Sequence, residues 1–455
     1  MLVQFSVENF LSFKEEITFS MVAAKKGNHA DHIVKENRAG KTPLLHAAAI
    51  YGANASGKSN LATAISFAQE LIATGTRSDQ TISVMPFKLD EDALKKPSKF
   101  EFVIKRKGVI YTYGFKLNSE KVLEEWLFAK PAKREVRYFE RITSGKDKVR
   151  VEFGPSFIRN SSKGKQFLEF VAQGTRPNQL FLTEAIERNV KELKPLMDWF
   201  KDVLLVIPAG AKHLTLELTT HEDKSFTKFL GDFLATAGTG VQGIATEEEP
   251  LDFDKYFPDM PDDIRRNISS FSKGTKVALR TPEGEQYGIT RGEQGQPLFV
   301  LLKTQHRTKE GRLTSFDVKE ESDGTQRLMH LAPALYAIRT SETVLIVDEL
   351  DRRLHPLMSK MFLEAVIGSK DANQNWQFIF TTHDTNLLDI DLLRRDEIWF
   401  VEKNESGVSH MYSLAEFKIR PDLKIQKGYL NGRFGAIPFI GDLRKLGWSD
   451  DDGEA

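Results

Sequence analysis

One eight-residue segment, Gly52-Ala53-Asn54-Ala55-Ser56-Gly57-Lys58-Ser59, restricts the fold of this chain more than any other feature. It fits the pattern of a glycine-rich loop that binds phosphate. Residues 47–51 before it are apolar, as in a buried strand, and residues 60–73 after it carry apolar side chains at helical spacing. A strand, a loop and a helix start in this order direct backbone N–H groups and the positive helix end at an anion. The segment therefore predicts a nucleotide site in an α/β fold, with Lys58 on the phosphates and the Ser59 hydroxyl on Mg²⁺.

The composition narrows the classes of protein that this chain can represent. Its 455 residues are enough for about two to three domains. Lysine plus arginine and aspartate plus glutamate number 64 each, so the net charge gives no argument for binding nucleic acid or a membrane surface. The chain has no cysteine, which excludes disulfides and thiol catalysis and fits a cytoplasmic location. No run of 18 apolar residues occurs, so no membrane span is expected.

A second segment supplies carboxylates that suit a magnesium nucleotide. Residues 343–347 form an apolar, β-branched run typical of a buried parallel strand, and Asp348 and Glu349 follow it directly. Carboxylates at the C-terminal end of such a strand lie where α/β sheets hold their ligands. Asp348 is suited to hold Mg²⁺ through water, and Glu349 to orient or deprotonate an attacking water. The alternative is an ordinary strand followed by an acidic turn.

Three further features accompany these carboxylates. Ser322 and Gly324 open a predicted helix, which makes either a second anion site or a plain capped helix start. Asp351 comes shortly after the carboxylate pair, and its alternative role is to start the next helix. His383 ends another apolar strand, where an imidazole can bond a γ-phosphate or the attacking water. A structural histidine is the alternative there.

In this order the motifs resemble those of the ATP-binding-cassette class, in the subgroup of SMC, RecF and OLD-like heads. The opening segment Val7-Glu8-Asn9-Phe10-Leu11-Ser12-Phe13 also resembles the first strand of those heads. The resemblance covers roughly residues 1–120 and 300–415. It implies an AAA-family ATPase with an α/β fold, namely an ABC-type P-loop ATPase head with an inserted, mainly helical lobe. It also implies ATP and Mg²⁺ as cofactors.

The resemblance implies a role for each matching residue. Contacts to the nucleotide would come from Gly52, Asn54, Gly57, Lys58, Ser59 and Asn60, and Mg²⁺ would be held by Ser59 and Asp348. Glu349 would be the catalytic base, His383 the switch histidine, Ser322 and Gly324 the signature, and Asp351 a contact between heads. In this class the signature of one head completes the phosphate site of another. Hydrolysis would therefore need a homo-oligomer paired through its heads, with Ser322 acting in trans.

The long separation of Lys58 from Asp348 predicts a lobe inserted between the two motif sets. We expect the N-terminal half of the head at 1–125, the lobe at 126–300, the C-terminal half at 301–415 and a tail at 416–455. The lobe is predicted to be helical around 160–240, with strands on either side, because no heptad pattern is sustained. Residues 167–200 are predicted to be helical, and the acidic stretch 245–263 to be a solvated loop.

The sequence suggests an ATPase without its own effector, because the residues after His383 offer no Toprim nuclease pattern. The basic, aromatic tail (residues 417–438) resembles the ends of ATPases from PARIS-type anti-phage systems, which work with a separate nuclease. That resemblance implies a sensor or regulatory scaffold that controls a separate toxic effector nuclease, with a phage protein or DNA as a candidate trigger. The alternatives are a RecF-like DNA-repair clamp on DNA and a scaffold that uses ATP without turnover. The tail itself either packs against the head or contacts nucleic acid.

Overall fold

The computed structural model describes residues 1–25, 27–34, 42–131, 134–161, 163–270, 277–280, 286–292, 295–368, 375–418 and 424–438. Its strands are β1 (Leu2–Glu8), β2 (Ile17–Ser20), β3 (Ala47–Tyr51), β4 (Ser98–Arg106), β5 (Val109–Leu117), β6 (Val122–Lys130), β7 (Val136–Thr143), β8 (Val149–Phe153), β9 (Leu204–Ile207), β10 (Val241–Pro250), β11 (Val277–Arg280), β12 (Gln286–Arg291), β13 (Pro297–Arg307), β14 (Leu313–Asp317), β15 (Thr343–Val347), β16 (Trp376–Thr381), β17 (Ile398–Lys403) and β18 (Ser409–Ser413). Its α-helices are α1 (Lys58–Thr74), α2 (Glu91–Lys95), α3 (Pro155–Asn160), α4 (Gly164–Gly174), α5 (Phe181–Glu187), α6 (Lys194–Asp198), α7 (Leu216–Glu222), α8 (Lys224–Thr236), α9 (Phe253–Tyr256), α10 (Asp262–Ser269), α11 (Asp323–Thr340), α12 (Pro356–Ile367) and α13 (Ile425–Leu430).

The chain divides into two compact units. The first unit comprises residues 1–2, 32–47 and 198–380, and the second comprises residues 3–31, 48–197 and 381 onward. Each unit therefore contains segments that are far apart in the sequence. The carboxylate and signature motifs belong to the first unit, and the phosphate loop and His383 belong to the second.

The first unit combines parallel strands with an antiparallel sheet. β9, β15 and β16 run parallel in the order β16-β15-β9, and every residue of β15 and β16 is buried. Burial along a whole strand is the pattern of parallel strands covered on both faces. The antiparallel sheet has the order β10-β13-β12-β11, with β14 also paired to β13. α11 packs against β15 and α8, and it continues through Pro333 as a single helix.

The second unit contains the predicted strand–loop–helix segment and a seven-stranded sheet. β17 runs parallel to β3 and antiparallel to β18, in the order β18-β17-β3. α1 follows β3 and buries the predicted apolar face, Leu61, Ile65, Ala68 and Ile72. The sheet has the order β2-β1-β4-β5-β6-β7-β8. The α/β P-loop ATPase fold predicted from the sequence is confirmed.

The middle of the chain agrees with the predicted elements in part. α3 to α8 occupy most of residues 155–236, with strands before and after them in the sequence, as predicted. The prediction missed β9, which lies inside this span and pairs with β15. The helical pattern at 167–200 is interrupted between α4 and α5, where Pro177 disfavours helical backbone in the residue before it. The prediction of a solvated loop at 245–263 is wrong for residues 245–250, which pair with β13 as part of β10, and for residues 253–256 and 262–263, which belong to α9 and α10. The side chains of Glu247 and Glu248 are exposed, although their backbone pairs with β13. The acidic side chains therefore made this strand resemble a loop in the sequence.

The described part of the tail is packed. Tyr429 and Phe434 are buried, and both rings lie about parallel to Phe400 of β17, with centroid separations of 5.5 and 6.0 Å. The structure thus favours the packing alternative, because these two rings are unavailable for stacking on bases. Within the described residues, no helix is both long enough and apolar enough to cross a lipid bilayer.

Candidate nucleotide site

The phosphate loop has a backbone that suits an anion. β3 ends at Tyr51 and α1 begins at Lys58, with Gly57 as its N-cap. Gly57 has a φ of 112° and Ala55 a φ of 62°, both in the left-handed region. The N-cap residue Gly57 has no side chain that could accept hydrogen bonds from the first turn of α1. A 17-residue helix with this start is a suitable binding site for phosphate.

Lys58 lies inside the loop that it is predicted to serve. It is only 5% exposed, and its Nζ donates hydrogen bonds to the carbonyls of Gly52 and Ala53 at 2.8 and 2.9 Å. These two bonds close the loop around the ammonium group. Because a phosphate oxygen is a stronger acceptor for an ammonium than a carbonyl is, a bound triphosphate would compete for this group.

Two serines far apart in the sequence support the loop. Ser409 Oγ donates to the Ser56 carbonyl at 2.5 Å and lies 2.7 Å from Ser12 Oγ. Asn60, in the first turn of α1, donates from Nδ2 to Ser12 Oγ at 2.6 Å. The Ser409 N–H donates to the Ser12 carbonyl at 2.8 Å. The side chain of Asn60 therefore connects the loop to this serine pair, and its predicted contact with nucleotide stays a prediction.

His383 is placed beside the strand that leads into the phosphate loop. The N–H of Thr382 donates to the carbonyl of Ile50 in β3 at 3.1 Å, and both residues lie in the second unit. His383 follows directly and is exposed, whereas Thr381 and Thr382 are buried. The imidazole of His383 therefore lies at the surface, directly after the strand that runs beside β3.

In the first unit, the carboxylate pair follows β15 as predicted. Asp348 is 4% exposed, and its N–H donates to the carbonyl of Ile207 in β9 at 2.9 Å. Glu349 has a φ of 52°, an uncommon backbone conformation for this residue type. Its Oε2 accepts a hydrogen bond from Arg352 Nη1 at 3.0 Å. Strained backbone of this kind is frequent where a side chain must be aimed at a ligand.

Arg327 is a candidate that the sequence did not indicate. It lies on α11, is 5% exposed, and its Nη2 is 3.5 Å from the Glu349 carbonyl. Its Nε has no hydrogen-bond partner among the described residues. Burial lowers the pKa of Arg327, and the nearby Arg352 lowers it further, whereas Glu349 opposes the shift. The guanidinium group of Arg327 is thus a buried cation close to the backbone of Glu349.

The signature serine begins α11, as expected. Ser322 is the N-cap, and its Oγ accepts a hydrogen bond from the N–H of Thr325 at 3.2 Å. The serine is exposed, so its capping role leaves it accessible. A side chain at Gly324 would place a Cβ 3.1 Å from the Arg353 carbonyl. Asp351 is half-buried, and the alternative that it starts the next helix is wrong, because the N-cap of α12 is His355.

The chemistry of these donors fits a magnesium nucleotide. The second unit brings together the glycine loop, its lysine, Ser59 and His383, and the first unit brings together two carboxylates, Arg327 and the signature turn. Hydroxyl and carboxylate oxygens are the ligands that Mg²⁺ prefers. The fold and these residues define a P-loop ATPase of the AAA class.

Comparison with known proteins shows the family. A family model described as "AAA domain, putative AbiEii toxin, Type IV TA system" matches residues 47–389, and the chain belongs to this family. The match begins at the first residue of β3 and ends beyond His383, so it encloses every predicted site residue.

Two solved structures resemble the chain more weakly. An SMC head bound to the C-winged helix domain of ScpA is 12% identical, with a TM-score of 0.38 over 90% of this chain and 97% of that one. The SMC head domain from Thermotoga maritima is also 12% identical, with a TM-score of 0.38 over 92% and 99%. Scores this low do not establish a shared fold. No curated protein matches the chain at the significance threshold.

Proposed function

We propose that this protein binds ATP with Mg²⁺ and hydrolyses it between paired heads. The phosphate loop carries the proposal, because it combines left-handed backbone, a buried lysine and the start of a 17-residue helix. The family match supports joint use of both motif sets, since it runs continuously from the loop to His383.

Each group then has one task in the reaction. Lys58 exchanges its carbonyl partners for the β- and γ-phosphates. Ser59 and Asp348 would hold Mg²⁺, which would supply positive charge against the phosphate oxygens. Glu349 accepts a proton from the attacking water, and His383 binds the γ-phosphate.

The signature turn serves a second copy of the chain. Ser322 is exposed at the start of an 18-residue helix, which suits it to contact a phosphate carried by another molecule. Asp351 contributes to the same contact between heads. The oligomer is therefore part of the active site, and an isolated chain binds ATP without efficient turnover.

The biological role in this proposal is the control of a toxic effector. The resemblance of the tail to PARIS-type ATPases and the family description, which names a putative toxin, support a sensor or regulatory scaffold in anti-phage defence. The effector would be a separate protein, a nuclease in the PARIS case. Co-purification of the chain with the products of neighbouring genes tests this role, and ATP-dependent capture of duplex DNA alone would instead support the RecF-like clamp.

The test of the chemistry is a pair of substitutions with opposite effects on binding and turnover. Lys58→Ala should weaken ATP binding by about 10- to 100-fold, because a charged hydrogen-bond donor is lost. Glu349→Gln should bind ATP with wild-type affinity while kcat falls by about 10²- to 10⁴-fold, because the general base is lost. Fluorescent-nucleotide titration and a phosphate-release assay measure the two quantities.

Two matched variants control for the change of charge. Lys88→Ala removes an exposed lysine from the second unit, and Glu364→Gln neutralises an exposed carboxylate on α12. Both should leave binding and turnover unchanged. Wild-type turnover by Glu349→Gln would remove this residue from the mechanism.

A further inference from the structure

Glu321, the residue immediately before the signature serine, is held by two side chains of β13. Its Oε1 accepts a hydrogen bond from Thr304 Oγ1 at 2.5 Å and lies 2.6 Å from His306 Nε2. The Glu321 side chain is only 8% exposed, and Thr304 is fully buried. Hydrogen bonds to a carboxylate that is shielded from water are among the stronger ones in proteins. The carboxylate is therefore anchored to β13.

The backbone of Glu321 is held by α11. Gln326, in the first turn of that helix, donates from Nε2 to the Glu321 carbonyl at 2.9 Å. The N–H of Gln326 donates to the Ser322 carbonyl at 3.0 Å, and the N–H of Thr325 donates to Ser322 Oγ. One residue thus connects a strand of the antiparallel sheet to the helix start that carries Ser322.

β13 is the strand of that sheet to which β10, β12 and β14 all pair. The chain runs from β13 through β14 and a single 3-10 turn to Glu321. Lys303 on β13 bonds Asp317 at the end of β14 at 2.5 Å, which fixes this return path. A displacement of β13 would therefore be passed to Ser322 by the side-chain bonds and by the chain itself.

We propose that Glu321 is a positioning residue for the signature, and that its bonds to Thr304 and His306 let the antiparallel sheet set the place of Ser322. The rate of hydrolysis then depends on the position of this sheet, whose strands are far from the phosphate loop in the sequence. The inference rests on the proposed function, because it requires Ser322 to contact ATP.

The first test compares Glu321→Ala with Ser322→Ala. Each should lower kcat for ATP by at least about tenfold, while the affinity for a fluorescent ATP analogue stays within about twofold of wild type. Glu321→Gln should restore part of the loss, because its amide oxygen still accepts from Thr304. Glu364→Gln, which neutralises an exposed carboxylate on α12 of the same unit, is the matched control and should match wild type.

The decisive measurement is the double variant. If Glu321 acts through Ser322, adding Glu321→Ala to Ser322→Ala should lower kcat no further. Multiplicative losses would show that Glu321 acts elsewhere and would overturn the inference, as would wild-type kcat for Glu321→Ala. An unchanged kcat for Ser322→Ala would instead overturn the signature role in the proposed function, and the inference with it.

A readout without nucleotide separates positioning from unfolding. Hydrogen exchange of the Thr325 and Gln326 amides should quicken in Glu321→Ala, because their bonds to Ser322 loosen, whereas exchange in α1 should match wild type. Quickened exchange throughout the first unit would indicate general destabilisation and contradict a positioning role.

Discussion

The phosphate loop requires a glycine at position 57. Its φ of 112° is unfavourable for any side chain, and a Cβ built there would lie 2.5 Å from Ser409 Oγ and 2.8 Å from Ser12 Oγ. Those hydroxyls are the ones that hold the Ser56 carbonyl and Asn60. A methyl group at Gly57 would therefore strain the backbone and also displace the serine pair.

We predict that Gly57→Ala weakens ATP binding by at least about tenfold and lowers stability by more than the roughly 1–2 kcal/mol of backbone strain alone. Gly108→Ala is the matched control, because Gly108 has a φ of 80° and no atom within 4 Å of an added Cβ. It should show the strain cost with normal ATP binding. Urea denaturation and nucleotide titration measure both effects, and equal losses in the two variants would contradict a role for the serine pair.

At this scale the sequence predicted the residues that belong to local motifs. The phosphate loop is set by the spacing of its glycines, and Asp348 and Glu349 by the end of an apolar strand. Ser409 and Arg327 escaped prediction because their roles depend on contacts between segments remote in sequence. Ser12 stood in the opening segment, but nothing local linked it to the loop.

Among the elements, the seven-stranded sheet is connected to α5 by the buried carboxylate of Glu125. Glu125 on β6 accepts hydrogen bonds from the N–H groups of Phe181 and Leu182 at 2.6 and 3.0 Å, and from the Tyr113 hydroxyl at 3.0 Å. Arg141 Nη1 on β7 lies 3.7 Å from Glu125 Oε2, and both side chains are fully buried. Removing one partner leaves the other charge buried and uncompensated.

We predict that Glu125→Ala destabilises the protein by about 3–5 kcal/mol, because it leaves Arg141 unpaired and the start of α5 without its acceptor. The adjacent Glu124→Ala should cost about 0–1 kcal/mol, because its 3.0 Å bridge to Lys116 is solvent-exposed. Thermal unfolding of the two variants gives the comparison. Similar melting temperatures for Glu125→Ala and Glu124→Ala would mean that the buried Glu125 does not stabilise the contact of α5 with the seven-stranded sheet.

The elements themselves were predictable where periodicity was strong. α1 and β15 match their predicted spans closely, because 3.6-residue spacing and continuous apolar runs are local signals. β10 was misread because its acidic outward residues resemble a loop, and the break between α4 and α5 was missed inside a continuous apolar pattern. Both the strand β10 and the break between α4 and α5 depend on contacts with other parts of the chain. The sequence of one segment does not contain that information.

For the whole molecule, the proposed reaction requires two copies of the chain. A site assembled from the loop of one copy and Ser322 of another obeys two-fold symmetry, so each pair of chains contains two equivalent sites. A chain with a defective phosphate loop can still contribute its Ser322 to the site of a partner copy. A chain with a defective signature can still bind ATP at its own loop.

We predict that a mixture of Lys58→Ala and Ser322→Ala hydrolyses ATP faster than either impaired variant alone. In a random mixture about half of the pairs are mixed, and each mixed pair has one intact site, so about a quarter of wild-type activity should return. A phosphate-release assay on equimolar mixtures measures this, with each variant alone as control. No recovery under conditions where mass measurement shows mixed pairs would contradict the arrangement in trans.

The aromatic packing of the tail extends to Tyr51, whose ring centroid lies 6.2 Å from that of Tyr429. Tyr51 is the last residue of β3, next to the first glycine of the phosphate loop. A protease cut or a fusion tag that pulls residues 424–438 away would uncover this ring and soften the support of the loop. Changes to residues 424–438 therefore risk weakening nucleotide binding even when every predicted motif residue is unchanged.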